Sequence, residues 1–191
     1  MSLKFSTKKL FELALVYYQA MIPYIGEYKR YKQLLDKTLM QINDEEFFQI
    51  LAPSTNSVAI IMKHLAGNLA SRFTDFLTTD GEKDWRDREG EFDVSGLNRA
   101  DIEERFNKSW QILEKNVWQL NDKDMKRIIT IRGVEMTVEE ALTRSITHFS
   151  HHVGEILFIA RYFRAEDWQY LSIAPGNTSE YLKNPNREKI S

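Results

Sequence analysis

Apolar residues recur every three or four positions over most of this chain, which is the spacing of amphipathic helices. The first such region runs from about residue 8 to residue 41. Pro23 interrupts it, so we expect either a kink or two successive helices. A short helix should follow over Asp44–Leu51, with Asn43 as its N-cap. The apolar stripe of the first region comprises Leu10, Leu13, Ala14, Tyr17, Tyr24, Tyr28, Tyr31 and Leu35.

Two further long helices are predicted in the middle of the chain. The second long helix begins after "PSTN" and ends near Gly81, because glycine commonly terminates helices. The third is capped by Asn98 and continues to about Leu120. Their buried faces are Val58, Ile61, Met62, Leu65, Leu69, Phe73 and Phe76 in the second helix, and Ile102, Phe106, Trp110, Leu113 and Val117 in the third.

The period changes at "RIITIRGVEMTV", which predicts a small hairpin turning at Arg132-Gly133. The fourth long helix then begins after Thr137. Glu140 lies three residues beyond this cap and completes a capping box. This helix should continue to about Phe163.

Four long helices and a minor hairpin predict an all-α fold, a four-helix bundle with a small β-hairpin before the last long helix. Length and composition indicate a single domain over residues 1–191. We expect an ordered tail over about residues 165–180. The end, from about residue 181 to residue 191, is expected to fray.

Composition and charge restrict the classes of function. A net charge of −2 argues against nucleic acid as a partner, since phosphate binding needs a concentrated basic face. The absence of cysteine excludes disulfides, thiolate nucleophiles and cysteine-based zinc sites. The chain begins without a signal-peptide pattern and contains no apolar run long enough to span a membrane, so we expect a soluble, cytoplasmic protein.

Three of the four histidines lie in "ITHFSHHVGEI" and the fourth in "IIMKHLAGN". Residues four apart on a helix differ by about 40° around its axis, so His148 and His152 share a face and His151 points elsewhere. Zinc and similar ions need at least three protein ligands, and His64 on a facing helix can supply the third. Packed or solvated histidines without a metal, or a pH-sensitive surface, are the alternatives. Asn68 and Glu155 are further candidates for ligands or supporting groups.

Two segments, "HLAGNLASRFTDFLTTDGEKDWRDREGEF" and "HFSHHVGEILFIARYF", resemble the DinB/YfiT-like superfamily of metal-dependent helix-bundle proteins, and in particular a branch catalogued as a domain of unknown function. The closing "LSIAPGNTSEYLKN" resembles the end of that branch. The resemblance implies an up-down-down-up four-helix bundle that forms a homodimer. By motif, it implies a divalent metal on His64, His148 and His152. Many relatives have glutamine where this chain has Glu155. The carboxylate of Glu155 either adds a ligand, acts as a catalytic base or faces solvent.

The resemblance also implies a function. Characterised relatives in the superfamily include S-transferases and isomerases that use low-molecular-weight thiols such as bacillithiol or mycothiol. The expected protein is therefore a metal-dependent enzyme acting on a small molecule, either a thiol-dependent S-transferase or a hydrolase. Imidazole ligands suit Zn, Ni, Mn or Fe equally. The alternative is a bundle that binds a metal or ligand without turnover.

A charged segment, "DGEKDWRDREGEFDVSG", has no helical period and is predicted to form a long ordered loop. Arg86, Arg88 and Glu91 are candidates to close over a substrate and bind its acidic groups, because the planar guanidinium suits carboxylates. The alternative, which composition favours, is that the arginines pair with Asp84, Asp87 and Glu89 and only hold the loop in place.

Overall fold

The computed structural model describes residues 21–184. Helix α1 covers Met21–Leu39, so the predicted helical region from residue 8 to residue 20, with the first half of its stripe, lies outside the described residues. Whether Pro23 kinks a longer helix depends on those residues as well. Within the described part, Tyr28 and Leu35 of the predicted stripe are completely buried.

The remaining elements follow the predicted order. Helices α2 to α4 and strands β1 and β2 precede the longest helix, α5, and the short helix α6 is the last element of the described residues. Their bounds are Asp44–Phe48 (α2), Val58–Phe73 (α3), Arg99–Val117 (α4), Ile128–Ile131 (β1), Val134–Thr137 (β2), Val138–Arg164 (α5) and Thr178–Lys183 (α6). The predicted caps at Asn43, Asn98 and Thr137 are confirmed, and each forms a capping box with the acidic residue three positions on. Helix α6 extends three residues past residue 180, the predicted end of the ordered tail.

Helix α3 ends earlier than its sequence predicts. Its last residue is Phe73, not a residue near Gly81. Thr74 is extended and Asp75 takes a left-handed φ of 50°, which stops the helical hydrogen-bond pattern. Phe76 is buried as predicted, but it lies in the turn that follows the helix. The connection between α3 and α4 therefore starts at residue 74.

The four longest helices pack in pairs around one apolar core. Helix α3 packs against α4, α1 packs against α5, and α3 also contacts α5. At the centre, the ring of Tyr28 lies 6.1–6.4 Å from the rings of four aromatic residues that come from or follow α3, α4 and α5: Phe73, Trp110, Trp118 and Phe149. Aromatic pairs at such distances contribute about 0.5–1.5 kcal/mol each beyond their buried area. This packing fixes α3 and α5 beside each other. Among residues 21–184, no helix is both long and apolar enough to cross a bilayer.

The predicted hairpin is confirmed and anchors the long loop. Strands β1 and β2 are antiparallel, with Ile131 opposite Val134. Arg132 and Gly133 form the turn with φ values of 56° and 72°, as a two-residue hairpin loop requires. The Asp80 carboxylate accepts the backbone N–H groups of both turn residues, each at 2.8 Å. These bonds tie the start of the loop to the hairpin.

Candidate metal centre

Three histidines meet between α3 and α5. His64 lies in the middle of α3, and His148 and His152 lie one turn apart on α5. The Nε2 atom of His148 is 3.2 Å from Nε2 of His64 and 3.2 Å from Nε2 of His152. Each of the three can offer one ligand atom within 4.8 Å of the others, and all three side chains are half-buried. The predicted juxtaposition of His64 with the pair on the last long helix is therefore present.

The spacing of these nitrogen atoms fits a metal ion. Zinc–nitrogen bonds of about 2.0–2.1 Å, meeting at about 90° to 110°, place two ligand nitrogens about 2.8–3.4 Å apart. The observed separations of 3.2 Å fall inside that interval. Three imidazoles and no thiolate suit a borderline divalent ion such as zinc, nickel, manganese or iron.

Two carboxylates fix the orientation of the outer histidines. Nδ1 of His64 is 2.8 Å from Oε2 of Glu91, and Nδ1 of His152 is 2.5 Å from Oε2 of Glu155. A carboxylate only accepts, so Nδ1 carries the proton in each ring and the Nε2 lone pair of each neutral ring faces His148. Metal-binding histidines usually have such a partner on the other nitrogen. His148 can donate one proton to one of these lone pairs, whereas an ion would engage all three Nε2 atoms.

Glu91 is itself held by a buried network. The guanidinium of Arg86 donates from Nε to Oε1 at 2.7 Å and from Nη2 to Oε2 at 3.0 Å. Arg86 also donates from Nη1 to Oγ of Ser71, on α3. The Arg86 side chain is 1% exposed and that of Glu91 6% exposed. This is a fork-to-carboxylate ion pair, the geometry in which arginine binds most strongly.

Helix α3 makes room for this carboxylate. A Cβ atom at Gly67 would lie 2.1 Å from Oε1 of Glu91, so any side chain there would force this carboxylate to move. Glycine at this position, one turn after His64, thus permits the close approach of the loop to the helix. The Nζ atom of Lys63 donates to the backbone carbonyls of Gly90 and Asp93 and holds the turn that carries Glu91.

The electrostatics favour neutral imidazoles at His148 and His152 and an ionised Glu91. Burial, together with repulsion from His152 and His64, lowers the pKa of His148 to about 4. Burial also lowers the pKa of His152, against the opposing effect of Glu155. Burial alone would raise the pKa of Glu91, but its hydrogen bonds with His64 and Arg86 hold it below the ordinary value. Neutral imidazole is the form that binds a metal.

His151 lies outside the triad, as its predicted direction requires. Its side chain is 67% exposed, and its Nε2 is 3.6 Å from Oε2 of Glu155. His151, His152 and Glu155 form a second group whose ligand atoms lie within 4.8 Å of one another. This second group lies within five consecutive residues of one helix, and its carboxylate is already bonded to Nδ1 of His152. The triad, which joins two helices and directs Nε2 atoms inward, is the better metal site.

The two arginines predicted for ligand binding take different positions. Arg86 is buried and its donors are used by Glu91 and Ser71. Arg88 is half-buried, pairs with Glu82, and lines a cavity beside His64 and His148. The predicted pairing of these arginines with Asp84, Asp87 and Glu89 is wrong. The loop folds so that Arg86 reaches Glu91 and Arg88 reaches Glu82. Asn68 is buried and lines the same cavity, without a hydrogen bond from its amide to any described residue.

Replacing Glu155 tests whether it orients His152. We expect Glu155→Ala to weaken binding of the metal by about tenfold to a hundredfold, the usual cost of losing such a partner. Glu155→Gln, which keeps an acceptor oxygen, should lose less. Titration of metal-free protein with zinc in competition with a chelator measures both values. Glu139→Gln, an exposed glutamate near the start of the same helix, is the control; equal affinities in all four proteins would mean that Glu155 only faces solvent.

Metal-free protein should lose stability in mild acid. Between the ordinary pKa of histidine, 6.5, and the value of about 4 for folded His148, the unfolded chain binds a proton that the folded chain does not. The free energy of unfolding therefore falls as pH decreases through this window, by at most about 1.4 kcal/mol per pH unit from this group. Urea unfolding of chelator-treated protein at a series of pH values measures the slope. His148→Gln should flatten it, and an unchanged slope in that variant would contradict the assignment.

Comparison with known proteins gives one family match. A family described as "Protein of unknown function (DUF1572)" matches residues 14–177. Neither a curated protein nor a solved structure matches the chain. The matched segment includes every residue of the triad and of the network that orients it. The chain therefore belongs to the DUF1572 family, whose function is unknown.

Proposed function

We propose that this protein is a metal-dependent enzyme that acts on a small molecule, with a divalent ion held by His64, His148 and His152. The observation that carries this proposal is the convergence of three Nε2 atoms whose outer two rings are each oriented by a carboxylate on Nδ1. Packing of neutral histidines does not require their Nε2 atoms to converge or their Nδ1 atoms to bond to carboxylates. It is the arrangement found around metal ions in proteins.

An open coordination position favours catalysis over a structural role. Structural zinc sites are closed by four protein ligands, and only three are available here within the triad. Beside the triad lies a cavity of about 140 Å³, and His64 and His148 both line it. A small substrate in this cavity would therefore reach the ion directly. A metal held there would act as a Lewis acid toward a thiol, water or carbonyl group.

The residues of the chain have distinct roles in this proposal. His64, His148 and His152 hold the ion, and Glu91 and Glu155 keep the outer rings in the tautomer that presents Nε2. We assign Glu155 this positioning role in place of the catalytic base, because it is bonded to the nitrogen that does not face the ion. Arg86 keeps Glu91 in place.

Two reaction classes fit this site. The sequence contains no cysteine, so the sulfur in a thiol-dependent S-transferase would come from a low-molecular-weight thiol. A hydrolase would need no second substrate besides water. The resemblance to the DinB/YfiT-like superfamily favours the transferase, and the pairing of α1 with α5 and of α3 with α4 supports the bundle that this resemblance implies.

A turnover screen distinguishes the classes. Metal-loaded protein is incubated with a panel of electrophiles and esters, with and without bacillithiol or glutathione, and with His148→Ala as the inactive control. Turnover that requires the thiol assigns a transferase, and turnover without it assigns a hydrolase. Stoichiometric metal with no turnover in either arm would replace the enzyme with a non-catalytic metal-binding protein.

A further inference from the structure

The cavity beside the triad is lined by four arginines. Arg72 comes from α3, Arg88 from the long loop, Arg132 from the hairpin turn and Arg144 from α5. Three separate parts of the chain besides α5 thus bring a guanidinium to the same small space. The hairpin turn and the loop are joined through Asp80, which holds Arg132 in its left-handed conformation. Surface ion pairing does not explain why four guanidinium groups lie around one cavity.

The carboxylates nearby do not balance this charge. Glu82 accepts from both Arg88 and Arg132, and Asp80 is engaged by backbone N–H groups. Arg72 donates to the carbonyl of Gly81 and has no carboxylate partner among residues 21–184. Arg144 forms neither an ion pair nor a side-chain hydrogen bond with any described residue. Burial, followed by repulsion from Arg132 and Arg86, lowers the pKa of Arg72 to about 10.

The neutral side-chain amide of Asn68 also lines the cavity. Asn68 lies one turn after His64 and is 8% exposed, and its side-chain amide has no hydrogen-bond partner in the described part of the chain. Its amide oxygen and nitrogen both retain accessible surface, so a molecule in the cavity can reach them. A ligand in the cavity would supply the missing partner.

We propose that this cavity binds the oxyanion of a small acidic molecule, a carboxylate or a phosphate, through Arg72 and Arg144. Asn68 would bind a neighbouring polar atom of the same molecule. Arginine forks match both types of oxyanion.

The dimensions limit the ligand. The cavity of about 140 Å³ equals the volume of about five water molecules, well below that of drug-sized pockets. Since His64 and His148 line the same space, an oxyanion at the arginines leaves the rest of the molecule at the triad. This inference rests on the proposed function, and it identifies the substrates as small organic acids or phosphate monoesters.

The test is anion binding by chelator-treated protein, which does not depend on a metal or on turnover. Inorganic phosphate and malonate are titrated separately by calorimetry, with ionic strength held constant with sodium chloride. We expect saturable one-site binding of at least one of them. Arg144→Gln and Arg72→Gln should each weaken it by about tenfold to a hundredfold, as expected for losing one hydrogen bond to a charged group. Arg105→Gln, which replaces an exposed arginine on α4 that forms no ion pair with any described residue, should leave it unchanged.

The two arms identify the oxyanion, and the outcomes separate this inference from the proposed function. Tighter phosphate binding points to phosphate monoesters, and tighter malonate binding points to carboxylic acids. Absence of saturable binding, or binding that Arg144→Gln and Arg72→Gln do not change, overturns the inference. Anion binding that appears only after zinc is added, and survives both substitutions, also overturns it, since the anion would then lie on the metal. None of these results alters the metal content on which the proposed function rests.

Discussion

Glu91→Ala should destabilise the protein by about 3–5 kcal/mol, since removing one partner of a buried ion pair leaves the other charge uncompensated. In this chain the remaining charge is the guanidinium of Arg86, with Oγ of Ser71 as its only other side-chain partner among the described residues. Nδ1 of His64 would lose its acceptor as well. The free energy of unfolding in urea measures the loss, in chelator-treated protein so that metal binding does not contribute.

A matched control lies in the same loop. Glu82 also accepts two hydrogen bonds from one arginine, Arg88, and a third from Arg132, but all three side chains are at least about one-third exposed. Glu82→Ala should cost no more than about 2 kcal/mol, since each of these two pairs in contact with solvent contributes at most about 1 kcal/mol. Replacing the buried pair together, as Arg86→Met with Glu91→Leu, should recover much of the stability lost in Glu91→Ala. The buried network is refuted if Glu91→Ala costs no more than Glu82→Ala.

His148→Ala should remove the metal altogether. Its Nε2 is the atom common to both short nitrogen–nitrogen distances, so the variant keeps only two of the three ligands. Because losing a supporting residue alone weakens metal binding by about tenfold to a hundredfold, losing a ligand should exceed a hundredfold. Elemental analysis after dialysis, with circular dichroism to verify the fold, measures the effect. His64→Ala and His152→Ala should behave in the same way.

His151→Ala provides the control for these variants. It removes an imidazole from the same turn of α5, but from its exposed side. Its metal content should equal that of the parent protein. If His151→Ala loses the metal while His64→Ala retains it, the ion is held by His151, His152 and Glu155, and the triad is wrong.

Features that depend on near neighbours in the chain could be predicted from the sequence. The capping boxes at Asn98 and Thr137 each involve residues three apart, and the hairpin turn is specified by Arg132-Gly133 with apolar residues on both sides. The end of α3 could not be predicted in this way. Phe76 has the spacing and burial of a helical residue, but the left-handed Asp75 precedes it. The spacing of apolar residues indicates which positions are buried, and the same spacing can continue into a buried turn after the helix has ended.

The same limit applies to the site. The shared face of His148 and His152 follows from helical geometry, and the need for a third ligand points to His64. The role of Glu91 depends on how a long loop folds back on α3, which no local spacing specifies. Gly67 in "HLAGN" is the available signal, because an unexplained glycine inside a helix often marks the close approach of another group. Arg72 and Arg144 were missed because their cavity forms only when α3, α5 and the hairpin are assembled.

Elemental analysis of untagged, purified protein tests the central claim most directly. A tag of histidines would bind metal itself, so it must be absent. The account predicts about one divalent ion per chain, retained through dialysis and reduced to background in His148→Ala. Protein that is correctly folded but contains less than about a tenth of an ion per chain, and takes up none when zinc, nickel, manganese or iron is supplied, would contradict it.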